Sequence, residues 1–246
     1  MDLQVIAVYF FSDEILKARN FPDDPQVKMT TAEVITVAIV SALLFYGNQK
    51  RTAQYLKSHR FIPNILSESH FNRRLHRIIP DVWQAIFSTL AEYFKHSNSS
   101  QEYIVESFPI LSCENMRIFR SKIYSGKAFR GYVASKKRFF YGVKAHLLVT
   151  AKGKPVECVL APGAENDMSV FKRFHLDIPN HSTIYADRAY NSYAHEDFLK
   201  DNDLFLIAQR KGNSKRPHDG CIRYLYRFLN HVRYTRGPKK KNRNSI

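Results

Sequence analysis

Apolar positions change their period once along the chain, and that change divides it. Across the first hundred residues they recur at helical spacing. Thr30-Thr31-Ala32-Glu33 is a capping-box pattern ahead of the apolar run 34–46, which predicts a core helix. A second helix is predicted over 50–58, before Pro63. Ser67 is positioned to cap a third over 68–79, with Phe71, Leu75 and Ile78 or Ile79 on one face and Pro80 as its stop. A fourth covers 82–94, and the Ser- and Asn-rich stretch 95–101 reads as a linker. Beyond it the apolar runs become short and β-prone. Strands are predicted at 103–105, 139–150, 155–160, 182–186 and 203–208, with a turn at 151–154 and helices at 167–174 and 192–200. Strands leading into helices predict an α/β fold: a mixed sheet flanked by helices, preceded by a helical N-terminal domain. The divisions read from the pattern are 1–95, 102–216 and a basic tail 217–246.

Composition narrows the class. Of 246 residues 44% are apolar and 13% aromatic, which excludes a disordered acidic chain. Three cysteines, Cys113, Cys158 and Cys221, are too few and too scattered for a disulfide scaffold. The run 34–46 falls short of the roughly 20 apolar residues a membrane span needs, and the first basic residue is Lys17, so neither an anchor nor a secretory signal is expected. The expected location is the cytoplasm, with no membrane partner. The net charge of +16 favours a polyanionic partner. Its distribution is uneven: +2 over residues 1–100, +6 over 101–219 and +8 over 220–246. Between Glu114 and Glu157 there is no acid, while eleven basic residues alternate with aromatics. Basic side chains neutralise phosphates and aromatic faces stack on exposed bases, so this stretch is read as a nucleic-acid contact. A solvated sheet edge protected by lysines is the simpler alternative.

Two acids follow predicted strands: Glu106 after Tyr103-Ile104-Val105, and Asp187 after Ile184-Tyr185-Ala186. Carboxylates at neighbouring strand ends can hold a hard divalent cation. Such an ion can serve phosphodiester chemistry. Helix capping after a strand is the competing role. Asp167 is read as a helix cap or as a group standing behind such a site. His146, inside a predicted strand, reads as a core or surface residue. No Cys/His spacing suggests zinc.

Five ordered blocks, 103–113 (YIVESFPILSC), 129–146 (FRGYVASKKRFFYGVKAH), 161–167 (APGAEND), 184–193 (IYADRAYNSY) and 210–216 (RKGNSKR), resemble bacterial insertion-sequence transposases of the DDE type. The resemblance implies an RNase H-like core over 102–216 that uses Mg²⁺ or Mn²⁺. It also implies a homo-oligomer on DNA, in association with the nucleoid, that cuts and joins insertion-sequence ends. Asp187 and Glu106 are then the catalytic and metal-binding carboxylates, with Asp167 behind them. Arg130, Lys136, Lys137, Arg138, Lys144, Arg210 and Lys211 are the phosphate contacts expected on the core. Arg73, Arg74 and Arg77 are those expected for terminal-repeat DNA. Two departures stand out. The first carboxylate is Glu where the family has Asp, and no acid follows Asp219, where the third is expected. An acid from the helix 192–200, such as Glu196, could substitute, although it falls sooner after Asp187 than the family's arrangement has it. The departures imply an impaired copy, truncated or frame-shifted near 217–220, with a basic helix over 221–236. A non-catalytic DNA-binding protein that inhibits full-length transposase, and an RNase H-like nuclease, are the alternatives.

Overall fold

The computed structural model describes residues 1–23, 25–113, 122–133, 137–210, 212 and 214–216. Lys136, Lys211 and the whole tail 217–246, with its expected break and basic helix, lie outside these. Two compact units are present, Met1–Thr89 and Leu90–Ile246.

The first unit is helical: α1 (Asp2–Ala18), α2 (Thr31–Leu44), α3 (Gln49–Ser58), α4 (Glu68–Arg77) and the start of α5 (Pro80–His96). The capping box forms as expected. Thr30 Oγ1 accepts from the Glu33 N–H at 3.2 Å, and Glu33 Oε2 accepts from the Thr30 N–H at 2.7 Å. It launches α2, which is the core helix. Val34, Val37 and Val40 pack with Val5, Met29, Leu56 and Phe71, while Ala32 and Ile35 pack with Leu16, Val82 and Ile86. Among the described residues no single helix is long and apolar enough to cross a membrane. On α4 the choice between Ile78 and Ile79 falls to Ile78, which joins the core, whereas Ile79 is exposed. The helix stops at Arg77, two residues earlier than expected. Pro80 disfavours helical geometry in the residue before it, and Ile78 is already extended.

The second unit holds a six-stranded mixed sheet: β1 (Glu102–Cys113), β2 (Arg130–Val133), β3 (Arg138–Thr150), β4 (Pro155–Pro162), β5 (Thr183–Ala186) and β6 (Phe205–Ala208). The long strand β3 pairs antiparallel with β1 on one edge, and with β2 and then β4 on the other. On the far side of β1, β5 and β6 run parallel. The expected mixed α/β fold, helical first and then a mixed sheet with helices, is what the chain adopts. Helices α6 (Asp167–Phe171) and α7 (Tyr193–Asp201) belong to this unit. One face of the sheet carries the main core, including Tyr103, Val105, Leu148, Phe171, Ile184 and Tyr190. The other carries a smaller cluster around Ile104 and Val149, with Leu147, Tyr185 and Ile207 against it.

Two corrections concern this sheet. β1 does not end at Val105 but continues to Cys113, and β2 appears where no strand is predicted. Glu106, Ser107 and Pro109 disguise the continuation. Beyond Val105, β1 keeps β3 as partner but has left β5, and a strand side without a partner is where proline is tolerated. Opposite this extension Gly142 has φ +154, and a Cβ there would stand 2.1 Å from the Ile110 carbonyl oxygen. Only glycine allows β1 and β3 to approach so closely.

Candidate active site

Register places the two carboxylates. In the parallel ladder the last pair is Val105↔Ala186, both on the main-core face. The next residue on each strand is Glu106 and Asp187. Side chains alternate along a strand, and neighbouring strands lie roughly 5 Å apart. Glu106 and Asp187 are therefore neighbouring backbone positions at the end of the β1–β5 ladder. Glu106 is not at a strand end as expected. It sits within β1, opposite Leu147, and it is the end of β5 that opens space beside it.

Asp187 does two things. Its Oδ1 accepts from the Ala189 N–H at 2.8 Å, capping the short 3₁₀ turn Arg188–Tyr190. The capping role and the strand-end role are thus one geometry. Its carboxyl is pushed up, first by desolvation and further by the negative charge of Asp167, against the lowering effect of the Ala189 N–H. That turn is pinned from below by Tyr190, which is buried and lies 3.2 Å from His146 Nδ1. His146 is a core residue, fully buried, and its Nε2 has no hydrogen-bond partner among the described residues. Burial lowers it to about 4, so the ring is neutral at physiological pH. The Tyr190 phenol is pushed far up by burial and then by Asp167, with smaller contributions from Asp187 and Glu106. All three acids therefore act on one hydroxyl.

Asp167 is not the helix cap: Asn166 is, accepting from the Met168 N–H at 2.9 Å. Asp167 is the first residue of α6, and its carboxylate takes the Lys144 ammonium at 2.5 Å, 3.9 Å from His146 Nε2. Lys144 also donates to the Glu165 carbonyl at 2.6 Å. Its charge is spent inside the protein rather than held out for phosphate. A cleft of about 530 Å³ opens beside these groups, lined by Arg130, Tyr132, Lys144, Asp167 and Arg188 among others. Arg188 escaped the sequence reading, although its place directly after Asp187 was a signal that could have found it.

The structure withdraws Arg210 from the expected phosphate contacts. It is buried, and both its terminal nitrogens bind the two Glu196 oxygens, at 2.5 and 2.8 Å. Arg216 closes the group by bonding Glu196 and Asp197. Glu196 is thereby occupied as a partner of two arginines, as a substitute metal ligand would not be. Arg130, Lys137 and Arg138 are exposed. In the first unit Arg73 and Arg77 are exposed on a cavity of about 320 Å³ shared with Lys28 and His70. Arg74 instead braces Asp23, Thr31 and the Met29 carbonyl.

Carboxylates are oxygen donors suited to a hard divalent cation, and Glu106 and Asp187 are the residues at the end of this ladder that could hold one. Among the described residues no set of three His, Cys, Asp or Glu stands together as a metal cage.

The transposase DDE domain family matches residues 96–224. No curated protein matches the sequence. Among solved structures, a piggyBac transposase synaptic complex with hairpin DNA is similar over 87% of this chain and 49% of that one, at 12% identity and a TM-score of 0.40. The chain thus spans about half the length of that structure's chain.

Proposed function

The chain belongs to the transposase DDE domain family, and from that premise we propose that it binds DNA in transposition while its own strand-transfer chemistry is impaired. The observation that carries this reading is the register that sets Glu106 beside Asp187 at the open end of the β1–β5 ladder. These two residues would hold Mg²⁺ or Mn²⁺. A cation there supplies Lewis-acid activation of water or a sugar hydroxyl and stabilises the leaving oxygen. The Ala189 N–H fixes one oxygen of Asp187, the Tyr190–His146 pair fixes the turn behind it, and Lys144 forms an ion pair with Asp167.

Impairment follows from the donor set. Glu106 carries one methylene more than the Asp of the family, and a shift of about an ångström is poorly tolerated at a reacting centre. Among the described residues, three further acids of this unit are engaged elsewhere. Glu165 binds Arg173, Glu157 caps the His175 and Leu176 N–H groups, and Glu196 binds Arg210. DNA is held by exposed cations, Arg130, Lys137 and Arg138 on the sheet and Arg73 and Arg77 on α4, by a homo-oligomer in the cytoplasm at the nucleoid. The commitment of Glu196 to two arginines favours, as second reading, a non-catalytic DNA-binding protein that restrains active transposase in mixed oligomers. A nuclease would need a third acid.

The test is the full chain incubated with duplex DNA and Mg²⁺ or Mn²⁺. The expected outcome is salt-sensitive binding without joined product, and no rescue by Glu106→Asp alone. Joined product from the wild-type chain would refute the impairment. Absence of DNA binding at low salt would refute the reading as a whole.

A further inference from the structure

Tyr132 and Phe139 are cross-strand partners on the β2–β3 hairpin, and both are exposed, at 54% and 42%. Their ring centroids lie 5.0 Å apart with planes at 54°. The guanidinium of Arg130 sits over the Phe139 ring at 4.1 Å, which fixes that ring and places a cation against it. The opposite face of the hairpin is packed: Gly131 lies against Phe140, which is buried, and a Cβ on Gly131 would stand 2.4 Å from the Phe140 ring. The aromatic pair is thus presented outward from a rigid base. Lys137 and Arg138 flank it, both exposed, and Arg130 and Tyr132 also line the cleft that Arg188 and Asp167 share.

Large aromatic rings left in water beside cations, with no acid in the sequence from 115 to 156, suit a ligand that is both flat and polyanionic. The acids on the cleft do not oppose this, because Asp167 is paired with Lys144 and Glu165 with Arg173. A duplex offers phosphates but keeps its base faces stacked, whereas an unpaired nucleotide offers both. We propose that Tyr132 and Phe139 form a stacking platform for an unpaired base at a DNA end, with Arg138 and Lys137 holding its backbone. This rests on the DNA-binding reading above and goes beyond it by naming the form of DNA recognised.

The test uses the full chain and two DNA probes of the same sequence. One is a blunt duplex and the other carries a three-nucleotide single-stranded 3′ overhang containing 2-aminopurine. The expected result is roughly tenfold tighter binding of the overhang probe, as one stacked base supplies, with quenched 2-aminopurine emission. The double variant Tyr132→Leu with Phe139→Leu keeps an apolar surface on the hairpin. It is expected to lose both the preference and the quenching while retaining its affinity for blunt duplex. Tyr132→Leu alone is expected to lose part of each. Equal affinity for both probes with unchanged emission would overturn the platform and leave DNA binding intact. Failure to bind either probe would overturn both. Preference and quenching that survive in the double variant would assign the unpaired base to other residues and overturn this assignment.

Discussion

Asp187 shows how much one side chain can carry. It follows an apolar strand, caps a turn and takes the position next after the last β1–β5 pair, as Glu106 does on β1. Its folded-state pKa lies above the usual carboxylate value, so the ionised form weighs against the fold as pH rises through that value. Asp187→Asn keeps an oxygen for the Ala189 N–H and removes the charge. We expect its melting temperature at pH 7 to rise by about a degree or two, which thermal unfolding would show. A lower melting temperature would mean that the charge stabilises the fold. His146 works in the opposite sense. Its folded value of about 4 lies below the unfolded 6.5. Its contribution is therefore fully present above pH 6.5 and is lost as pH falls toward 4, an effect of about 3 kcal/mol. His195, lowered by burial and by Lys172, adds to the same trend. Urea unfolding at pH 7 and pH 5 should show the loss in the wild type and a smaller one in His146→Gln. Asp187 was legible because a lone acid after a short apolar run has few uses. The fate of Arg210 was not. Nothing in the chain pairs it with Glu196, fourteen positions earlier on α7, until β6 returns beside that helix.

At the scale of elements, local chemistry was read well where it was strong. The Thr30–Glu33 box starts α2 where expected, and Thr30→Ala is predicted to cost the first unit about 1 kcal/mol, measurable by denaturant unfolding. β3 and β4 followed from an alternating apolar pattern interrupted by Lys152-Gly153. Two elements were hidden for physical reasons. In α1 only Val5, Ser12 and Leu16 are buried, while Leu3, Ile6, Phe10 and Phe11 are exposed, so its apolar residues do not trace one stripe. In β1 Glu106, Ser107 and Pro109 interrupt the apolar run, although the strand continues against β3 to Cys113. The buried Glu196–Arg210–Arg216 group ties α7 to the segment after β6. Removing one partner of a buried pair strands the other, so Arg210→Ala should cost about 3 kcal/mol. A variant with wild-type stability would show that the pair is dispensable.

For the whole molecule, the mixed sheet was legible from the order of short strands and helices, and its strand order came only from the ladders. The sum of +16 proved less informative than its placement. Several of its charges, Lys144, Arg74 and Arg210 among them, are consumed by internal partners. Among the described residues, DNA affinity should therefore depend on the exposed cations. Arg138→Ala is expected to lower the slope of log affinity against log salt by roughly 0.9, one phosphate contact. Arg210→Lys should leave that slope unchanged. Equal effects would return Arg210 to the DNA surface.

The most direct measurement is cation binding by the full chain, read by electron paramagnetic resonance of Mn²⁺ with wild type, Asp187→Asn, Glu106→Gln and Glu196→Gln. The proposed metal site at Glu106 and Asp187 predicts binding weakened at least tenfold by either of the first two and untouched by the third. Undiminished Mn²⁺ binding in Asp187→Asn and Glu106→Gln would contradict it.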